Sequence, residues 1–227
     1  MLLSVIGILY SAISIYKTTN QYKVSADKYQ EIERIYYKED ESEDRYQKLL
    51  MLNSDFIGWL EIDQTKISYP VVRTEDNDFY LSRNFYNETD KSGAIFMDFR
   101  NNPNKLDKNT IIYGHNMKDG SMFGSLKAFL DQNFLEEQNK ITFSSSDSTY
   151  IWEVFSVYEA EDVAWMGTKF TDLRDYEKFL DRIINKSVID RETVVDSTDK
   201  ILTLATCTTS DKKRLVIHAK LVNREDI

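Results

Sequence analysis

Cysteine, histidine, proline and glycine are scarce in this chain of 227 residues, and each shortage excludes something. The single cysteine excludes an intramolecular disulfide and a cysteine-cluster zinc site, and two histidines make a histidine-based metal site an unfavourable interpretation. Two prolines and seven glycines exclude collagen-like and low-complexity architectures. We therefore expect a folded chain with no metal and no cofactor.

Net positive charge is also missing. The formal net charge is −9, and nucleic acid is not an expected partner because phosphate binding needs a basic surface. Hydrophobic residues make up 41% of the chain and aromatic residues 13%, which is ample for a packed core. The length allows one large domain or two small ones.

The first 16 residues carry no charge, and Lys17 ends this run. A membrane-spanning helix needs about 20 apolar residues, with about 17 as a lower limit, and no basic flank precedes the run. A membrane anchor, a cleaved signal peptide and a buried helix are the alternatives. No small-x-small cleavage site follows, and a buried helix without a polar face would be unusual. The prediction is a membrane anchor over residues 1–16.

Residues 17–55 have the pattern of a polar helical stalk. The charge run over residues 38–45 indicates a solvated face or a junction between helices. Apolar residues on either side of it recur at helical spacing: Tyr29, Ile32, Ile35, Tyr36, Tyr46, Leu49 and Leu50.

From residue 56 to residue 227 the pattern changes to short β-rich runs separated by polar turns, which predicts a closed or sandwich-like β domain. One long helix is predicted from Thr171 to about Lys186, with Thr171 or Asp172 as its N-cap. A shorter helix is predicted within MFGSLKAFLDQNFLEEQ. The eight runs are IGWLEI, KISYPVV, GAIFMDF, NTIIYGH, KITF, TYIWEVFSVY, KILTLAT and RLVIHAKLV.

The single cysteine, Cys207, stands at the end of the seventh run, and Arg214 begins the eighth. If these runs form an antiparallel hairpin, Cys207 lies opposite Arg214, and Thr203 lies opposite His218. His218 would then lie about 13 Å from Cys207 along the strand, too far to act on a thiol, so it is predicted to be structural. The remaining histidine is His115, at the end of NTIIYGH.

A thiol, an imidazole and a guanidinium together could catalyse acyl transfer. The thiolate is the nucleophile, an imidazolium favours it and later protonates a leaving amine, and a fixed cation stabilises an oxyanion. On the residues alone the alternatives stay open. A lone cysteine is more often a small core residue, His115 could belong to a turn, and Arg214 could be a strand-edge charge.

Five segments resemble class B sortases: TLATC with Arg214 seven residues after the cysteine, YGHNMKDGSMF, GWLEIDQTKISYPVV, NDFYL and GAIFMDFRN. The resemblance covers about residues 55–222. It implies a mainly β fold, an eight-stranded sortase-type β-barrel with N-terminal helices and one long helix before the penultimate strand.

The resemblance also implies a cysteine transpeptidase. Cys207 would cleave a C-terminal sorting motif after threonine and hold the acyl group as a thioester, with His115 as general acid and base and Arg214 stabilising the oxyanion. The acceptor would be an amine of a peptidoglycan precursor, and the substrates would be surface proteins. Together with residues 1–16, this predicts a single-pass protein of the Gram-positive cell membrane with its catalytic domain outside the cell.

Six further residues are implied as a substrate-binding set, with packing in the core or in a loop as the alternative for the first four: Asn77, Leu81, Trp165, Met166, Ala205 and Thr206. A serine is common in class B where Ala205 stands, so one substrate hydrogen bond is expected to be absent. Thr208 stands where some relatives have glutamate. Both differences concern the substrate groove.

Two rival functions remain open from the sequence. A cysteine endopeptidase would use the same three residues with water as acceptor, and a catalytically silent surface-binding barrel would use none of them. A papain-like protease is disfavoured, because there the cysteine opens a helix and precedes the histidine, whereas His115 precedes Cys207.

Overall fold

Eight strands close into a barrel in the order β1-β2-β3-β4-β7-β8-β6-β5. The computed structural model describes residues 2–38, 45–190, 193–207 and 213–226. The predicted eight-stranded barrel is confirmed. The strands are β1 Phe56–Ile62, β2 Ile67–Val72, β3 Ile95–Met97, β4 Asn109–His115, β5 Lys140–Ser144, β6 Ser148–Ala160, β7 Ile201–Cys207 and β8 Arg214–Asp226. The α-helices are α1 Leu2–Tyr37, α2 Arg45–Leu52, α3 Gln132–Glu137 and α4 Leu173–Asn185.

The barrel is mixed, because β2 pairs with β3 and β4 pairs with β7 in parallel while the other neighbours are antiparallel. The β4/β7 register runs from Asn109 beside Ile201 to His115 beside Cys207. Since parallel strands end at the same edge of a sheet, residues 92 positions apart in sequence meet there.

The last two strands form the predicted antiparallel hairpin. Thr203 pairs with His218, as expected, and Ala205 pairs with Val216. Continued by two residues, this register puts Cys207 opposite Arg214. Residues 208–212 of the predicted polar loop between the strands lie outside the described residues.

The N-terminal helices pack on the barrel through the apolar positions that the sequence pattern identified. Ile32 and Leu49 are fully buried, and Tyr29 is nearly so. The ring of Tyr36 stacks on Trp59 of β1 with 4.1 Å between centroids. The stretch over residues 1–16 and the first stalk helix are one continuous helix from residue 2 onward.

Within the described ranges, no helix combines the length and the apolar character that crossing a membrane requires. The prediction of a single-pass cell-membrane protein with an extracellular catalytic domain depended on such a helix at residues 1–16, and it is wrong. The physical reason lies in the run itself. Its 16 uncharged residues fall short of about 20, and α1 continues through Lys17 into a charged segment.

The predicted long helix is α4, and it precedes the penultimate strand as expected. Asp172 is its N-cap, because its side chain accepts a hydrogen bond from the backbone N–H of Asp175 at 2.8 Å. The predicted shorter helix is divided instead. A 3₁₀ segment covers Gly124–Leu130 and α3 follows, because Asp131 between them is extended and caps α3 with its carboxylate.

His218 lies in the core of the fold. It is fully buried, its Nδ1 lies 2.8 Å from the Thr203 hydroxyl, and its Nε2 lies 2.9 Å from the Tyr158 hydroxyl. The rings of Phe155 and Phe179 lie within 6.3 Å of the imidazole, measured between centroids. Burial lowers the pKa of His218 to about 3.

This low pKa predicts a pH-dependent stability. The unfolded chain takes up the His218 proton near pH 6.5 and the folded chain only near pH 3, so the unfolded state binds more protons between these values. The free energy of unfolding should therefore fall on acidification, by about 1.4 kcal/mol per pH unit from this group well below pH 6. The free energy of unfolding, measured by urea denaturation at several pH values between 6 and 4.5, should fall more steeply with decreasing pH for the wild type than for His218→Gln. Equal slopes would contradict the prediction.

Candidate active site

A cleft of about 450 Å³ opens where β4 ends and β8 begins. Six of the residues predicted from the sequence as site residues line it, although they come from segments far apart in the chain: Asn77, Leu81, His115, Trp165, Met166 and Arg214. Four lining residues were not identified from the sequence, namely Asp78, Phe96, Tyr113 and Val163. Tyr113 carried a usable signal, because it lies two residues before His115 and so on the same face of β4.

The backbone of Cys207 lies beside that of His115, as the last residue of β7. Adjacent strands are about 4.8 Å apart, and paired residues point to the same face of a sheet. The side chain of Cys207 lies outside the described part of the structure. Its predicted role as nucleophile stays a prediction that the strand register makes geometrically reasonable.

One ring nitrogen of His115 is committed to a backbone contact. Its Nε2 lies 2.6 Å from the carbonyl oxygen of Leu81. Because a carbonyl oxygen only accepts, Nε2 must carry a proton and donate it. Nδ1 is therefore the nitrogen that can exchange a proton with a reacting group. The carbonyl of His115 accepts hydrogen bonds from the backbone N–H groups of Met117 and Phe123, which fix the strand end.

Gly93 lies close to the His115 ring. Its φ is +60°, a conformation that favours glycine. A Cβ atom there would lie 2.6 Å from the Tyr80 carbonyl oxygen and 2.9 Å from Cδ2 of His115. The carbonyl of Gly93 accepts a 2.8 Å hydrogen bond from the hydroxyl of Tyr29 in α1. Both the imidazole and the Leu81 carbonyl that binds it therefore lie close to the Cβ position of Gly93.

Arg214 is anchored to the strand that carries the cysteine. Its Nη1 donates to the carbonyl of Thr206 at 3.2 Å, and the Thr206 hydroxyl accepts from the backbone N–H of Leu215 at 3.0 Å. Thr206 and Ala205 are buried, and neither is among the described residues that line the cleft. Their roles in substrate binding stay predictions.

Asp98 orients Asn77 on one wall of the cleft. Its buried carboxylate accepts hydrogen bonds from Asn77 Nδ2 at 3.1 Å and from the Tyr113 hydroxyl at 2.7 Å. Arg100 binds the same carboxylate through two nitrogens at 2.8 and 2.7 Å. Burial raises the pKa of Asp98, but the hydrogen bonds and charge of Arg100 outweigh it and lower the pKa below the usual range. The backbone N–H of Phe99 donates to Asn77 Oδ1, so the amide has one orientation.

Trp165 and Met166 lie on the other wall, in a short 3₁₀ segment before α4. The Trp165 side chain is 1% exposed, and its indole N–H donates to the carbonyl of Asp162 at 2.8 Å. Its ring meets that of Tyr113 edge-on with 6.2 Å between centroids. Trp165 therefore contributes to the cleft as a packed wall, while Met166 is partly exposed.

A sequence profile of the sortase domain matches residues 60–222. The chain belongs to the sortase family. Sortase B of Listeria monocytogenes is 43% identical over 188 residues, which are 81% of this chain and 76% of that protein. Sortase B of Staphylococcus aureus is 37% identical over 182 residues, 78% of this chain and 75% of that protein. Both relatives belong to class B, which confirms the class that the motifs indicated.

Solved structures of sortases agree with this assignment. Sortase B from Bacillus anthracis in complex with AAEK1 superposes with a TM-score of 0.84 at 39% identity, covering 90% of this chain and 99% of that one. A Staphylococcus aureus sortase B–substrate complex superposes with a TM-score of 0.83 at 33% identity, covering 89% and 98%. In this sortase the described residues contain no group of three or more histidine, cysteine, aspartate or glutamate side chains arranged to hold a metal ion.

The close approach of Gly93 to the histidine predicts a specific defect in Gly93→Ala. The added methyl group cannot be accommodated unless the His115 ring or the Tyr80 carbonyl shifts. Because small misplacements of catalytic groups are costly, we expect kcat/KM for peptide cleavage to fall by at least about tenfold.

Gly120→Ala is the matched control. Its φ is +81°, so it carries a similar backbone strain, but an added Cβ there meets nothing closer than 3.8 Å. Urea denaturation should show some loss of stability in both variants, larger in Gly93→Ala because the clash adds to the strain, and peptide cleavage under native conditions should be impaired only in Gly93→Ala. Equal activity in both variants would refute the positioning of His115 by Gly93.

Proposed function

We propose that this sortase is a cysteine transpeptidase that cleaves a sorting motif after threonine and transfers the acyl group to an amine. The single observation that carries the proposal is the β4/β7 register, which pairs His115 with Cys207. His115 and Arg214 also line one cleft. The family membership supports the same chemistry, since sortases are cysteine transpeptidases.

In the first half-reaction the Cys207 thiolate attacks the carbonyl carbon of threonine. A C–S bond forms, and the carbonyl π electrons move to the oxygen, where the Arg214 guanidinium stabilises the negative charge. The intermediate then collapses and the C–N bond breaks. The imidazolium of His115 gives the leaving nitrogen its proton through Nδ1, while Nε2 stays bound to Leu81. A thioester remains on Cys207.

In the second half-reaction an amine attacks the thioester carbonyl. His115 Nδ1 takes the proton from the attacking nitrogen, the C–S bond breaks, and the thiolate is restored. One amide bond replaces another, so no cofactor or redox partner is needed. Water in place of the amine would give the endopeptidase reaction with the same three residues. We assign the acceptor role to an amine of a peptidoglycan precursor, by analogy with the family.

The cleft walls support an extended peptide as substrate. Asn77, held by Asp98, would offer its remaining amide hydrogen-bonding capacity to the peptide backbone. Leu81, Trp165 and Met166 would provide apolar walls. A proline-containing motif ending in Thr-Gly or Thr-Asn is proposed from the class B resemblance. A relative of the same fold, Staphylococcus aureus sortase B, has been solved as a substrate complex, which supports a substrate-binding role for this family's fold.

The reaction is tested by mass spectrometry of products from a sorting-motif peptide and an added amine such as triglycine. We expect an amide between the threonine carbonyl and the amine, because the thioester is open to nucleophiles. A hydrolysed peptide alone would favour the endopeptidase, and an intact peptide would favour the silent barrel. Cys207→Ala should yield no product while retaining the wild-type circular dichroism spectrum. Normal turnover in this variant would refute the mechanism.

Arg214→Lys tests whether charge alone suffices at the oxyanion. Lysine keeps the charge but lacks the forked donors with which arginine can bind the Thr206 carbonyl and the oxyanion at the same time. We expect kcat to fall by roughly 100-fold, measured with the same peptide. Arg224→Lys near the far end of β8, where Arg224 pairs with Asp226, is the control and should leave kcat unchanged. A fully active Arg214→Lys variant would exclude the proposed role.

A further inference from the structure

The structure assigns to Asn109 the role of a positioning residue that fixes the Trp165–Gly167 wall of the cleft, with its amide held from the opposite side by a buried hydrogen-bond chain from Tyr158 through His218 and Thr203. The inference rests on the proposed function, because the wall is where a sorting peptide would bind. Asn109, Thr203 and His218 each have no exposed surface, and the proposed mechanism uses none of them.

Asn109 supplies the hydrogen bonds that this wall lacks within its own segment. Its Nδ2 lies 3.3 Å from the carbonyl oxygen of Trp165 and 2.8 Å from that of Gly167. These two residues flank Met166, and the segment has a single 3₁₀ turn. The carbonyl of the buried Trp165 needs a donor, and the single side-chain amide of Asn109 serves it together with the half-buried carbonyl of Gly167.

The direction of every hydrogen bond in the chain follows from the chemistry of its members. Both protons of Asn109 Nδ2 go to carbonyl oxygens, so Oδ1 faces Thr203 and can only accept. The Thr203 hydroxyl, 2.6 Å away, therefore donates its only proton to Oδ1. Its oxygen must then accept from Nδ1–H of His218 at 2.8 Å. A neutral imidazole has one N–H, so Nε2 accepts from the Tyr158 hydroxyl at 2.9 Å.

The two backbone carbonyl groups thus force one orientation of the Asn109 amide, and the hydrogen-bond chain is matched to it. A flipped amide would place Oδ1, which cannot donate, against two carbonyl oxygens. The low pKa of His218 keeps the imidazole neutral at ordinary pH, so it retains the acceptor nitrogen that the Tyr158 hydroxyl needs. Removing the Thr203 hydroxyl would break this hydrogen-bond chain at its centre and leave the buried Oδ1 of Asn109 without its donor, so that Asn109 holds the wall less firmly.

Asn109 is remote from the reacting groups. It begins β4 and His115 ends the strand, six residues or about 20 Å away at about 3.4 Å per residue. Between them, the Tyr113 ring contacts the Trp165 ring, and both residues line the cleft with Met166. Loss of this hydrogen-bond chain should therefore weaken peptide binding at the wall and leave the chemical step at His115 unaffected.

The kinetic test compares Thr203→Val with Thr203→Ser, using the sorting-motif peptide and triglycine. Valine matches threonine in shape but cannot donate, so we expect KM for the peptide to rise about 2- to 10-fold with kcat within about twofold, as for the loss of one hydrogen bond. Serine keeps the hydroxyl and should restore the wild-type KM. An unchanged KM in Thr203→Val, or a fall in kcat alone, would overturn the assignment.

The spectroscopic test uses ¹⁵N-labelled wild-type protein at neutral pH. The hydrogen-bond chain requires the Nδ1–H tautomer of His218, with a pyridine-type ¹⁵N chemical shift at Nε2. A spectrum of His115→Ala identifies which signals belong to His218. An Nε2–H tautomer would overturn the proposal. This measurement needs neither activity nor a folded Thr203→Val variant. If the wild-type protein leaves sorting-motif peptides intact, the proposed function is refuted. The tautomer of His218 then tests the role of Asn109 by itself.

Discussion

The parallel pairing of β4 with β7 is the constraint on which the rest of the site depends. It brings Cys207 beside His115 at one edge of the sheet, although they are 92 positions apart in the sequence. A shift of the register by one residue would turn one side chain to the other face of the sheet. The buried apolar pairs along both strands, such as Ile112 beside Leu204, resist such a shift.

The residues on one face of β4 serve different parts of the site. His115, at the end of the strand, carries the proposed chemistry. Tyr113, two residues before it, contacts Asp98 and Trp165 on the two cleft walls, and Asn109 is the first residue of the strand. Polar side chains on this face are hydrogen-bonded to named partners, which rigid binding clefts require. The two walls are held by different chemistry. A buried carboxylate paired with Arg100 fixes the Asn77 wall, and a chain of neutral groups fixes the Trp165 wall.

The N-terminal helix is part of this arrangement rather than a separate attachment. Tyr29 of α1 donates a hydrogen bond to the carbonyl of Gly93, a residue that leaves no room for a Cβ atom beside the ring of His115. The ring of Tyr29 packs edge-on against Tyr69, whose hydroxyl accepts from the backbone N–H of Met122 just beyond β4. The position of the proposed general acid therefore depends on a helix that the sequence pattern presents as a stalk.

Local pattern and motif order were enough to predict from the sequence the eight strands, the long capped helix, the pairing of Thr203 with His218 and the class B assignment, because strand alternation, capping and short motifs are encoded by neighbouring residues. The membrane anchor was wrong because the uncharged run is too short. Tertiary structure alone decided the supporting contacts. The contacts of Gly93 with His115, Asp98 with Asn77, and Asn109 with Trp165 join residues 21 to 56 positions apart. No local spacing encodes which donor meets which acceptor once the barrel closes.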